Sequence, residues 1–153
     1  MKKNKLTVAP FDDIHLIGIN STLVDYKLAY HFNNTLKFSF IRLDEALLDT
    51  VSPYAFFYFN AGENNNAYNL VALRNKEHVC IKLNPQIDYL LIVRNHITDD
   101  KLNQLVKSIR GLNGVTYAYL MDLNKIPTLD LVLERIEMHE RDCLENINQQ
   151  KEP

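Results

Sequence analysis

The stretch DYLLIVRNHITDDKLNQLVKSIRGLNGVTYAYLM, residues 88–121, decides the fold. Tyr89-Leu90-Leu91-Ile92-Val93 is apolar at every position, the pattern of a central strand covered on both faces. Thr98 follows as a helix cap, Asp99 and Asp100 suit the positive end of a helix dipole, and Leu102, Leu105, Val106 and Ile109 recur at helical spacing. Gly111 and Gly114 stop the helix, and Val115 to Met121 alternates as a strand, with Tyr117 and Tyr119 on one face. Strand, helix, strand is a crossover unit, which has one hand in nearly all cases and places its helix on one face of a sheet.

Working outward, Ile14 to Ile19 reads as a strand, and Thr22 with Asp25 has the spacing of a capping box. Val24, Leu28, Ala29, Phe32 and Leu36 then fall on one helical face, ended by Asn33-Asn34. Lys37 to Leu43 alternates as a second strand. Tyr54 to Phe59, Tyr68 to Leu73 and His78 to Leu83, separated by turn chemistry at Asn60 to Asn66 and Asn75 to Glu77, predict a three-strand meander. The order predicts an α+β fold: a mostly antiparallel sheet with two helices from a βα…βαβ arrangement, plus a C-terminal helix over Thr128 to Asn148. Its stripe of Leu129, Leu133, Ile136, Leu144 and Ile147 is interrupted by Glu140. The expected organisation is one α+β domain over 1–125 and a helical extension over 126–153.

With 153 residues, 46% hydrophobic and 24% charged, the chain is long enough to bury a core without disulfides or structural metal. Cys80 and Cys143 match no zinc or redox spacing and are expected as reduced thiols. No apolar run reaches signal-peptide or membrane-spanning length, so a cytoplasmic protein with no membrane partner is expected. The net charge of −2 divides into −4 over residues 129–153 and +2 over the rest, with no basic footprint for nucleic acid. Tyr54, Ala55, Phe56 and Phe59 resemble part of an RNA-recognition strand, but Ser52 and Pro53 stand where that pattern needs a basic residue and glycine.

The stretch Ile81-Lys82-Leu83-Asn84-Pro85-Gln86-Ile87-Asp88-Tyr89 resembles the signature of the IPExxxVDY family. It keeps the first Ile, a β-branched residue at the Val position and the closing Asp-Tyr, with Lys82 and Leu83 where the signature has Pro and Glu. Leu16-Ile17-Gly18-Ile19, Leu23 to Leu28, Phe32-Asn33 and Gly114-Val115 with Ala118-Tyr119 extend the resemblance over about residues 11–123. Membership implies a small bacterial cytoplasmic protein and carries no activity, substrate or cofactor.

The residues singled out for chemistry are the pairs Asp25-Tyr26 and Asp88-Tyr89, because a carboxylate and a phenol that converge can recognise a polar ligand or act as acid and base. The structural alternative is that Asp25 completes a cap, Asp88 satisfies backbone donors before a strand, and each tyrosine buries its ring with its hydroxyl bonded. Among His15, His31, His78, His96 and His139 no two are spaced i, i+4, so no metal site is expected. No nucleophile elbow or phosphate loop occurs, and no catalytic residue or cofactor is assigned. The expected function is a non-catalytic binding or regulatory module, acting through self-association at the C-terminal helix or a sheet edge, or through a protein partner. A small enzyme using the Asp-Tyr pairs and an RNA-associated protein are the alternatives, and the sequence leaves a small-molecule ligand open.

Overall fold

A computed structural model describes residues 13–49, 52–62 and 65–151. The apolar run becomes β5 (Tyr89–Arg94), buried at all six positions. It pairs on one side with β4 (Ala67–Ala72) and on the other with β1 (Ile14–Ser21), the central position that two apolar faces require. β2 (Ile41–Leu47) and β3 (Pro53–Asn60) precede β4, and β6 (Val115–Met121) closes the sheet in the order β2-β3-β4-β5-β1-β6, each neighbouring pair antiparallel. The fold is α+β.

α2 (Asp99–Arg110) starts where expected, with Lys101 N donating to Thr98 Oγ1 at 3.3 Å. The strand after it does not pair with β5. β1 lies between them, antiparallel to both, so β5 and β6 run parallel two positions apart. Gly18 in β1 makes this crowding possible: a Cβ there would lie 2.8 Å from Ile87 Cγ2 and 2.9 Å from Met121 Sδ.

α1 (Asp25–Thr35) and α2 cover one face over Ile17, Ile19, Phe57, Leu70, Leu91 and Val93. α3 (Leu129–Lys151) covers the other, burying Leu129, Val132, Leu133 and Ile136 against Leu16, Phe56, Leu90 and Ile92. The helical stripe expected to meet a second copy thus lies against the chain's own sheet. Each such aliphatic side chain contributes about 1.5–3 kcal/mol on burial. Glu140 sits in the same buried stripe, where Arg94 Nη2 and Asn69 Nδ2 each donate to its Oε1 at 2.6 Å.

Four local expectations are corrected. Residues 37–40 are not strand: Lys37 turns with φ 63°, and the Asn33 side chain bonds both Phe40 N and Phe40 O, tying this segment to the end of α1 until β2 begins at Ile41. His78 to Leu83 is not the third strand of a meander. The Gln86 side chain takes Leu83 N and Ile81 O, only the Arg74–Val79 bridge forms, and β4 pairs with β5 instead. The capping box is absent, since Val24 occupies the N-cap and no side chain bonds there; Val24 itself is exposed rather than in the core. In the Asn60 to Asn66 turn, Ala61 N donates to Asn66 O at 3.1 Å, while Glu63 and Asn64 lie outside the described residues, as do residues 1–12. No helix among the described residues is long and apolar enough to cross a membrane.

Candidate functional site

The turn between β1 and α1 is fixed from three directions. Asp88 Oδ2 accepts from Ser21 N at 2.9 Å while its Oδ1 accepts from Arg74 Nε at 2.8 Å, and Arg74 Nη2 donates to Ser21 O at 3.0 Å. Asp88 N donates to Ile19 O and Leu73 N to Asp88 O, each at 2.8 Å. The Tyr89 ring is buried and its hydroxyl donates to Leu23 O at 2.6 Å. Burial pushes that phenol up to about 12. Ser21 Oγ adds a bond to Gly114 O at 2.7 Å, and Gly114, at φ 91°, lies so close to Leu23 that a Cβ would sit 2.5 Å from Leu23 Cγ. For Asp88 and Tyr89 the structural alternative therefore holds. Asp25 departs from it: the carboxylate opens α1 without capping it and pairs with Arg42 on β2 at 3.2 Å.

This turn sets the start of α1 above a hollow of about 520 Å³. Three of the four residues expected from the sequence line it, Asp25, Tyr26 and Tyr89. Asp88 stands behind Arg74, which also faces the hollow. Its floor is a row of small side chains: Ala72 pairs with Tyr89 across β4 and β5, and Ala55 lies one strand further on β3. Ala55 is the one small residue in the run Tyr54 to Phe59; it is buried like the neighbouring Phe57, but its short side chain borders the hollow where Phe57 fills the core beneath α1. Glu45, Pro53 and Asn75 complete the walls.

Part of the rim is apolar and exposed, beside the charged Glu45, Lys76 and Glu77. Val24 and Tyr26, 49% and 62% exposed, form one lip, and Leu47, 61% exposed, pairs with the lining residue Pro53. Tyr30, one helical turn beyond Tyr26, is 60% exposed. Exposed apolar side chains at the mouth of a hollow mark an interaction site more often than scattered ones do. Sequence reasoning missed Arg74, Glu45 and the alanine row. The small residue in a bulky strand was the available signal for the floor, whereas Arg74 and Glu45 are recruited by pairing across strands.

A second, larger hollow of about 620 Å³ lies between β2 and the later part of α3, lined by Arg42, Asp44, Glu45, Cys143 and Ile147 among others. Here His139 and Cys143, spaced i, i+4, bring Nε2 and Sγ to 3.4 Å. They do not form a nucleophile and base. His139 Nε2 also bonds Asp44 O, and a carbonyl only accepts, so Nε2 carries a proton and cannot remove the thiol's. Burial raises the Cys143 thiol as well, against a reactive thiolate. Of the residues that resemble an RNA-recognition strand, Tyr54, Ala55 and Phe56 are buried and Phe59 is half-buried against the core, so they do not form an exposed stacking face. Among the described residues, no group of three or more His, Cys, Asp or Glu could hold a metal ion. In comparisons with known proteins, no family profile, curated protein or solved structure matches the chain.

Proposed function

We propose that the chain is a non-catalytic binding module whose recess at Asp25, Tyr26, Arg74 and Tyr89 receives an apolar side chain of a protein partner. One observation carries this reading: three of the expected residues line a mostly apolar hollow with Val24 and Tyr26 exposed at its rim, while the titratable groups at its back are already engaged. Asp88 is held by Arg74 and Ser21 N, and the Tyr89 hydroxyl by Leu23 O. Catalysis by the Asp-Tyr pairs would need at least one of them free and displaced toward neutral pH, whereas Tyr89 is displaced away from it. The hollow thus favours recognition over proton transfer.

The apolar face of α3 is engaged with the sheet, which moves the case for an interaction surface, whether for a partner or a second copy, to the opposite side of the molecule. The free cysteines Cys80 and Cys143 accord with a cytoplasmic setting, and the Ile81 to Tyr89 signature supports kinship with the IPExxxVDY proteins. A photoreactive amino acid placed at Tyr26 and, separately, at Met138 on α3 tests the site in cells. A discrete cross-linked species from position 26 and none from 138, although both are exposed, is expected. Equal cross-linking from both positions, or none from 26, would contradict the reading.

A further inference from the structure

We infer that the partner segment filling the recess carries a basic residue within one or two positions of its apolar anchor. The inference rests on the recess being a binding site and adds the chemistry of its occupant. Arg42 is shared by two carboxylates, Asp25 at 3.2 Å and Glu45 at 3.5 Å, and its guanidinium also lies over the Phe57 ring at 5.4 Å. One guanidinium between two carboxylates leaves that wall with one uncompensated negative charge. Elsewhere the charges balance in number: Arg74 is paired with Asp88, and the lining holds one further cation, Lys76, and one further carboxylate, Glu77.

The surplus therefore lies on the β2 side of the hollow, whose lining also includes the exposed Tyr26. Carboxylates and an aromatic ring lining one hollow suit an ammonium or guanidinium, through charge and through the ring face. The alanine row lies one to two strands away, about 5–10 Å at the usual strand spacing, which a lysine or arginine stem spans from a backbone position near the anchor. Arg74 supports the same mode of binding. Its Nε and Nη2 are occupied by Asp88 and Ser21 O, which fixes the guanidinium plane and leaves Nη1 as a positioned donor for a backbone carbonyl of the incoming segment.

Three capped peptides, acetyl-Gly-Leu-Xaa-Gly-amide with Xaa as Lys, Gln or Glu, test this on the full chain by titration of backbone amide resonances at low salt. The Lys peptide is expected to shift amides of Val24 to Tyr26, Ala55, Ala72 and Arg74 to Glu77, and to bind about fivefold tighter than the Gln peptide, as one surface charge pair allows. The Glu peptide is expected to bind weakest. Glu45→Gln, on an exposed side chain whose loss leaves the core intact, should bring the Lys and Gln peptides to equal affinity. Equal binding of all three to the unaltered chain, or a preference for Glu, would overturn the basic partner and leave the recess standing. Shifts from none would overturn the recess itself, and concentration-dependent shifts of the same amides without peptide would replace the peptide by a second copy of the chain.

Discussion

Asp88 holds three segments at once: the end of β1 through Ser21 N, the residue after β4 through Leu73 N and Arg74, and its own entry into β5. Asp88→Ala removes acceptors from two donors at a largely buried position and should cost about 1–3 kcal/mol, read from the urea midpoint. Tyr89→Phe, which loses one hydroxyl bond, should cost about 1 kcal/mol. Tyr89 also gives the chain an alkaline limit. Folding raises its pKa from 10.0 to about 12, so the folded state favours the neutral phenol; its stabilising contribution is complete below pH 10 and is lost as pH rises from 10 toward 12. Above pH 10 the urea midpoint should fall less steeply in Tyr89→Phe than in the parent; Tyr54, also pushed up to about 12, and Cys80, pushed from 9.0 up to about 11, contribute to the rest of the alkaline fall, which for the thiol begins near pH 9. The Asp-Tyr pairs were legible as residues worth attention because a charge beside a phenol is conspicuous in sequence. Their division of labour was not, because it depends on Arg74, fourteen positions before Asp88 and recruited by strand pairing.

At the scale of elements, periodicity identified β1, α2, β5 and β6, whose patterns are set by burial on one or both faces. It failed at 37–40 and 78–83, where the Asn33 and Gln86 side chains take backbone bonds that a strand would otherwise make. It also flagged Glu140 as an interruption without its cause, since Arg94 and Asn69 arrive from other strands. Glu140→Ala leaves the Arg94 guanidinium without that carboxylate and should destabilise by about 3–5 kcal/mol, whereas pairing Glu140→Leu with Arg94→Met should cost less than either change alone. Denaturation of the three variants measures the coupling. The sheet edges carry a comparable device. Arg110 Nε donates to Ala118 O on β6 at 2.7 Å, His139 bonds Asp44 O on β2, and Arg135 donates to Leu48 O just after that strand. Side chains on terminal strands oppose edge-to-edge pairing, so Arg110→Ala should increase self-association in sedimentation velocity. An unchanged profile would count against that role.

For the whole molecule, the division of charge into a +2 body and a −4 tail coincides with a structural division in which α3 supplies the cover of one sheet face. A chain ending at Lys125 would expose Leu90, Ile92 and Phe56 and is expected to unfold or aggregate, visible as loss of amide dispersion; a dispersed monomer would show that α3 is dispensable. The opposite side joins the two themes, since the bonds that fix the β1 to α1 turn also shape a hollow that leaves Tyr26 and Glu45 available. The most direct measurement sets binding against stability in one variant: the affinity for acetyl-Gly-Leu-Lys-Gly-amide and the urea midpoint of Tyr26→Ala. The account predicts lost binding with a midpoint within about 0.5 kcal/mol of the parent, as befits an exposed position; retained affinity would contradict the recess as the site of recognition.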